Sequence, residues 1–514
     1  MPKTGSPSLF ELIQSLSQTE KRYFKVFLQK YVKGDKDNFE RLFDEIEKQK
    51  VYDESKLRTF PYLAVLKVRL EEYILWSLQD FHSSKSISEK LKREIRSIEI
   101  LFHRRLFEHA KRQILKSKKT AEHYEEFLAL YELLKWELKI INAQSFANVS
   151  QEELKKIYSQ AEDCLEKVIR SNKYSMFCDS IYLQIRKHGF FRKKEELKKF
   201  GKMMTSQLLK SSSNADSIDA KYFFHSSHIG FAQLQGDIHK AQTNNDKILT
   251  LLESNPQHIQ KDPRKYLSMK QNSTVWLYHF KKYREALESL ENLKQFIIQQ
   301  RTNLSEYLFI RTFYYANTAM LYCYCRLGEY EKGVSAAVSF KREFEKYKMN
   351  PLNKETEWMF CDAVGTVYFG AEKYSECIRW LNKIIQDKEG NIRSDIQCMT
   401  RIFSLLAHYE LSNQELLRYM VKWTYRFLSK RQRLYKFESI ILEFIGKKSQ
   451  HIDTRKKMVT AFSELKNELV KLLPDIHERR PLDDFEYIEW LESKIKGKSF
   501  AEVVKEKQTV STST

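Results

Sequence analysis

The sequence predicts an all-α fold, an α-α superhelix of stacked helical hairpins. Three observations predict it. Glycine and proline are scarce, 13 and 8 of 514 residues, whereas all-β and alternating α/β folds consume both in turns and loops. Apolar residues recur at 3/4 spacing throughout, with no strand-like alternation. One turn signature returns at a near-constant interval through the middle of the chain. With 42% apolar and 13% aromatic residues, a large core can be buried.

The elements run in chain order from an N-terminal helical region over 1–85. Ser17-Gln18-Thr19-Glu20 is a capping box, and Tyr23, Phe24, Phe27, Leu28 and Tyr31 form the stripe of the helix it opens. Phe39, Leu42, Phe43 and Ile46 mark another helix. Phe60-Pro61 opens a long one through Leu66, Leu70 and Ile74. Helical hairpins continue over 86–210, with Ile95, Ile98, Leu101 and Phe102, then Leu106, Ala110 and Ile114, and a faint repeat there in which Leu101, Phe107 and Ala110 keep the spacing. A polar break over 142–150 ends in a second capping box, Ser150-Gln151-Glu152-Glu153. The Ser- and Asn-rich stretch 211–216 is a loop and a candidate boundary.

The repeat is clearest within 218–430. Gly236-Asp237-Ile238-His239-Lys240-Ala241, Lys281-Lys282-Tyr283-Arg284-Glu285-Ala286, Gly328-Glu329-Tyr330-Glu331-Lys332-Gly333 and Glu372-Lys373-Tyr374-Ser375-Glu376-Cys377 share a tight turn, then a large side chain, then a small residue. The small residues Ala241, Ala286, Gly333 and Cys377 are 45, 47 and 44 apart. A turn residue ends one helix, the aromatic fills the wedge between two, and the small residue lets them approach. On Ala241, Tyr283, Ala286, Gly328, Tyr330, Gly333, Tyr374 and Cys377 the segment resembles the tetratricopeptide repeats. Its period exceeds their usual ~34 residues, and Ile238 replaces the aromatic in the first unit. The chain also resembles bacterial helical-repeat proteins of similar length. A C-terminal cap is expected over 431–506. There Pro481-Leu482-Asp483-Asp484 starts a helix striped by Phe485, Ile488, Leu491 and Ile495, and a disordered tail is expected over 507–514.

The net charge of +21 is concentrated. Segments 86–120, 186–210 and 422–457 hold 31 of the 89 basic residues and 9 of the 68 acidic ones, so the remainder nearly cancels. Such segments attract polyanions. Arg192, Lys193, Lys194, Lys198 and Lys199, and Lys430, Arg431 and Arg433, are the candidate phosphate contacts.

No phosphate-binding glycine loop, HExxH, CxxC or GxSxG pattern occurs, so no enzyme activity, cofactor or metal is expected. His225 and His228 share a helix face without a third ligand and read as packing or surface histidines. Cys323 and Cys325, two apart on a helix, diverge. Adjacent glutamates such as Glu71-Glu72 and Glu125-Glu126 read as solvated helix faces. The seven cysteines, at 164, 178, 323, 325, 361, 377 and 398, read as buried apolar residues of a reducing compartment. No secretory leader and no run of about 18 apolar residues is seen, so a soluble cytoplasmic protein is expected.

The resemblance implies a protein-interaction scaffold that binds a peptide or protein partner in a concave groove. The family's groove positions fall on Gln271, Tyr278, His279, Thr318, Tyr322, Arg326, Asp362 and Thr366. The alternative is a nucleic-acid-associated regulator acting through the three basic segments.

Overall fold

A computed structural model of the chain describes residues 7–32, 34, 36–82, 86–147, 149–188, 204, 206–347, 354–387, 394–431 and 433–511. Among them are 25 α-helices, three short 3-10 turns and no strand. In chain order the helices are α1 (Ser8–Ser15), α2 (Gln18–Tyr31), α3 (Lys36–Glu47), α4 (Leu63–His82), α5 (Ile87–His103), α6 (Phe107–His123), α7 (Phe127–Ala143), α8 (Gln151–His188), α9 (Gln207–Lys210), α10 (Ile218–Gln235), α11 (Ile238–Glu253), α12 (Pro256–Lys261) and α13 (Pro263–His279). Next come α14 (Tyr283–Gln299), α15 (Glu306–Arg326), α16 (Tyr330–Lys346), α17 (Lys354–Gly370), α18 (Tyr374–Ile385), α19 (Ser394–Glu410), α20 (Gln414–Lys430), α21 (Lys436–Gly446), α22 (Arg455–Val470), α23 (Ile476–Asp484), α24 (Tyr487–Lys496) and α25 (Phe500–Ser511).

The chain divides into two compact units. The first holds the described residues up to His188, those of Lys193–Ser227, and Asn255–Lys261; the second holds His228–Ser254 and those of Asp262–Thr514. The division falls inside α10, past the 211–216 loop that the sequence marks. That loop belongs to the first unit for a physical reason: Ala215, Ala220 and Phe224 pack against Tyr174 of α8 and Leu209, and Arg170 pairs with Asp216 at 2.5 Å.

Both capping boxes form. In the first, Ser17 Oγ accepts the Glu20 amide while Glu20 accepts the Ser17 amide. Ser150 and Glu153 repeat the exchange. In the first unit, one apolar cluster joins α1–α4 and another joins α5–α8.

One backbone device closes hairpin after hairpin. A residue of positive φ ends the first helix: Arg105, Glu125, Gly236, Lys281, Gly328, Glu372 and Ser412. The next amide then donates to the carbonyl five residues back, at 2.8–3.1 Å. Glu329 to Tyr324, Lys373 to Tyr368 and Asn413 to His408 are examples. This closure satisfies carbonyls that a helix end otherwise leaves open. Five positions after the positive-φ residue comes a buried one: Ala110, Leu130, Ala241, Ala286, Gly333, Cys377 or Leu417. The repeat signature therefore marks four of these turns within 218–430, and Phe107 and Ala110 give the Arg105 turn the same spacing. The turn at Ser412 carries no such signature because Gln414 replaces the aromatic and Leu417 the small residue.

Within the second unit each hairpin's first helix also packs on the first helix of the next, in the order α13, α15, α17, α19, α21. One apolar core joins these hairpins to α22, α24 and α25. The small repeat residues are there for contact. A Cβ on Gly333 would lie 2.9 Å from Val367 Cγ1, and one on Gly370 would lie 2.1 Å from Tyr330 Cδ1. Tyr330 and Tyr283 are buried and Tyr374 is half-buried, as wedge residues should be.

The C-terminal elements differ from expectation. Pro481-Leu482-Asp483-Asp484 ends α23 rather than opening a helix, and Pro481 sits within α23. Phe485 lies in the connection, and α24 starts only at Tyr487. The last helix runs to Ser511, past the expected start of the tail at 507, and Lys507 pairs with Glu489 at 2.9 Å.

This packing can be tested at two points. Gly370→Ala forces a methyl into the Tyr330 ring and should cost roughly 1–3 kcal/mol, read as a lower chemical-denaturation midpoint; an unchanged midpoint would refute the contact. All seven cysteines are buried and free, and burial pushes the Cys178, Cys323 and Cys361 thiols up to about 12. Thiol reagents at neutral pH should titrate none of the seven in the native protein and all of them in denaturant. Rapid native labelling of several would contradict this packing.

Candidate functional site

The eight residues expected to line a groove lie on α13, α15 and α17, and five of them meet in two buried polar networks. Arg326 closes α15. Its Nε donates to Tyr278 Oη at 2.6 Å, its Nη1 to Glu486 Oε1 at 2.8 Å, and its Nη2 to the Asp483 carbonyl oxygen. The Arg326 and Glu486 side chains are 15% and 8% exposed. Burial pushes the Glu486 carboxyl up while the guanidinium opposes it. Burial also pushes up the Tyr278 hydroxyl.

In the second network Tyr322 Oη donates to Asp362 Oδ2 at 2.9 Å, and Thr366 Oγ1 donates to the Asp362 carbonyl at 2.9 Å. Burial lifts the Asp362 carboxyl to about 6, against the Tyr322 hydrogen bond, and the charge of Asp484 adds to the rise. Gln271, His279 and Thr318 stand outside both networks. The Gln271 carbonyl accepts from Tyr315 and Thr274, Thr318 is buried, and His279 alone of the eight is exposed.

The chain's own C-terminal segment packs against the hairpins that carry Arg326 and Asp362. Phe485 lies 4.7 Å from Phe403 and 5.4 Å from Phe369, ring centre to ring centre. Phe500 stacks on Tyr330 at 5.4 Å. Glu410, at the end of α19, accepts from Trp490 Nε1 and Lys494 Nζ, each at 2.6 Å. The Gly328 turn touches α25 so closely that a Cβ would meet the Ala501 carbonyl at 2.9 Å. Phe485, Tyr487, Trp490, Leu491, Phe500, Val503 and Val504 are all buried. Each contributes roughly 1.5–3 kcal/mol on burial, so the segment is part of the core. Glu486, Asp483, Glu410 and Trp490 have no local sequence signal: their partners lie 80–160 residues away.

Elsewhere the second unit offers two open clefts. One, about 400 Å³, is lined by Tyr266, Lys270, Glu285, Glu288, Asn292 and Phe296. The other, about 280 Å³, lies beside Lys294, whose Nζ bridges Glu343 at 2.8 Å and Asn317 Oδ1 at 3.3 Å. Among the described residues no group of three His, Cys, Asp or Glu is placed to hold a metal ion. No helix among them is long and apolar enough to cross a membrane.

The basic segments separate by their partners. Over 86–120, Lys92, Arg96, Lys111 and Lys118 pair with Glu89, Glu99, Glu108 and Glu137. Of the 186–210 segment, Arg192, Lys193, Lys194, Lys198 and Lys199 lie outside the described residues. Over 422–457, Arg431 lies 3.7 Å from the centre of the Phe427 ring, Arg433 is exposed, and Lys448 and Lys457 pair with Glu468 and Asp453. Helix α20 is different. It buries Leu417, Thr424 and Leu428. Its opposite face exposes Leu416, Tyr419, Lys422, Trp423, Arg426 and Lys430, with Tyr419 66% and Trp423 69% exposed. Glu415 is the one acid on α20.

No family model and no curated protein matches this chain. Among solved structures it is similar to a signal transduction ATPase with numerous domains, a protein with a tetratricopeptide repeat sensor from Pyrococcus horikoshii. The two are 11% identical with a TM-score of 0.38, over 82% of this chain and 65% of that one. About a third of that longer protein thus lies outside the match.

The Asp362 network makes a prediction about pH. The folded carboxyl, near 6, sits above the ordinary value of 3.8, so ionising it in the fold costs stability. That cost is absent below about pH 4, grows as pH rises, and is complete above about pH 6. Asp362→Asn should therefore be more stable than the native chain at pH 7.5, and the gain should vanish by pH 4. A stability difference that does not vary with pH would show that Asp362 is not destabilised by burial.

Proposed function

We propose that the chain is a non-catalytic protein-interaction scaffold. Two features support the reading. The buried titratable groups near the repeat axis, Arg326, Glu486, Tyr322 and Asp362, bond to one another and to the C-terminal segment rather than facing a cleft. The hairpins thus hold a helical segment in cis, and of the eight groove-position residues Arg326 acts by seating it. A partner is then left to surfaces outside that contact.

The observation that carries the proposal is the outward face of α20. Leu416, Tyr419 and Trp423 form an exposed apolar stripe bordered by Lys422, Arg426 and Lys430. Large amphipathic rings and cations are the side chains that dominate recognition surfaces. A peptide or protein segment with apolar side chains flanked by carboxylates complements this stripe. The cytoplasm, expected from the sparse cysteines, is part of the same proposal.

The same face favours a second reading, single-stranded nucleic acid. Bases stack on exposed Tyr and Trp while phosphates meet Lys and Arg, with affinity falling steeply in salt.

One variant set separates the two. Tyr419→Ala/Trp423→Ala and Lys422→Glu/Arg426→Glu alter exposed side chains only. After nuclease digestion of a native lysate, the unaltered chain should retain a specific set of proteins that both double variants lose. Retention of the same set by both variants would reject the α20 surface. Salt-sensitive binding of a fluorescent oligonucleotide, lost in both variants and with no protein retained, would establish the second reading instead.

A further inference from the structure

Helix α4, in the first unit, is apolar on both sides. Leu66, Leu70 and Ile74 enter the core of α1–α4. A helix with one buried face normally turns a polar face to water. Here the opposite face carries Val65 (52% exposed), Val68 (59%), Leu75 (45%) and Trp76 (60%), while Tyr62, just before the helix, is 84% exposed. Between them stand Arg69 and Glu72, both exposed, and Gln79 extends the row by one turn. Positions 65, 68, 72, 75 and 79 have heptad spacing, the spacing of a helix–helix seam.

The order of these residues identifies what fits the face. Arg69 and Glu72 have their midpoint between positions 70 and 71. Val65 and Trp76 have the same midpoint, and so do Tyr62 and Gln79. Reversed end for end about that point, these three pairs present cation to anion, apolar to apolar and hydroxyl to amide, while Val68 and Leu75, whose midpoint lies one residue later, fall between them. A surface complementary to its own reversal is what a two-fold contact between identical chains requires.

We infer that α4 packs antiparallel against α4 of a second copy of this chain, across a two-fold axis at positions 70–71. Arg69 of each copy faces Glu72 of the other, on both sides of the axis. Val65 of each copy faces Trp76 of the other, with Val68 and Leu75 flanking that contact. Tyr62 and Gln79 meet at the two ends of a seam roughly 25 Å long. The two ion pairs set the antiparallel register, since a parallel alignment in register would set each charge against its like.

The test is sedimentation velocity on the full chain over a concentration series, with circular dichroism as the folding control. The native chain should sediment at twice its 61.6 kDa mass. Arg69→Glu and Glu72→Arg alone each place like charges across the axis and should weaken association roughly tenfold or more. The double variant Arg69→Glu/Glu72→Arg should restore it. Trp76→Ala should weaken it without a charge change. A native chain that stays monomeric at its solubility limit overturns the proposal. So does a dimer indifferent to all four changes, or a double variant that stays dissociated while the helical signal is intact.

Discussion

A guanidinium cannot leave water without acceptors for its donors, and the second unit is arranged around one that has. Arg326 is 15% exposed at the end of α15. Its acceptors are Tyr278 on α13, the Asp483 carbonyl in α23 and the Glu486 carboxylate between α23 and α24. Two successive hairpins and the C-terminal segment therefore converge on one side chain. Removing one member of such a buried pair leaves the other charge stranded. Two residues later, Gly328 supplies the positive φ of the turn and the space for α25, whose Ala501 carbonyl a Cβ would meet at 2.9 Å.

The polar contacts give this arrangement its register, and apolar burial gives it its stability. Phe485, Tyr487, Trp490 and Phe500 join the same core as Phe369, Phe403 and Tyr330. In a tetratricopeptide-like array the first helices of successive hairpins are where a partner would lie. In this chain Tyr278, Tyr322, Arg326, Asp362 and Thr366 face inward to bonds made within the molecule. In the proposed scaffold, recognition is left to surfaces the core does not claim. The aromatic and basic face of α20 and the apolar outer face of α4 are among them.

Charge illustrates why position matters more than sum. In the basic segment 86–120, Lys92, Arg96, Lys111 and Lys118 each pair with a carboxylate one turn away on their own helix or on the next one. On α20, only Glu415 accompanies Arg418, Lys422, Arg426 and Lys430. A formal charge of +21 spread over 514 residues thus becomes a local field only where helix faces leave cations together.

The sequence by itself determined the class, the hairpin turns and the capping boxes, because each depends on residues within a few positions of one another. Gly236, Lys281, Gly328 and Glu372 are legible as turns from the large side chain two positions on and the small residue five positions on. Ser17 and Ser150 announce their helices through Glu20 and Glu153. The turn at Ser412 was hidden, since its closure is made by backbone atoms and Gln414 and Leu417 do not carry the signature. The end of α23 at Asp484 was misplaced because Pro481 ordinarily opens a helix. Only the tertiary structure decided what the repeat positions face. Arg326 and Glu486 are 160 residues apart, and no periodicity links them. The C-terminal segment has the same amphipathic pattern whether it caps the last hairpin or lies along several. Long-range burial, with the acceptors a largely desolvated guanidinium requires, selects between them.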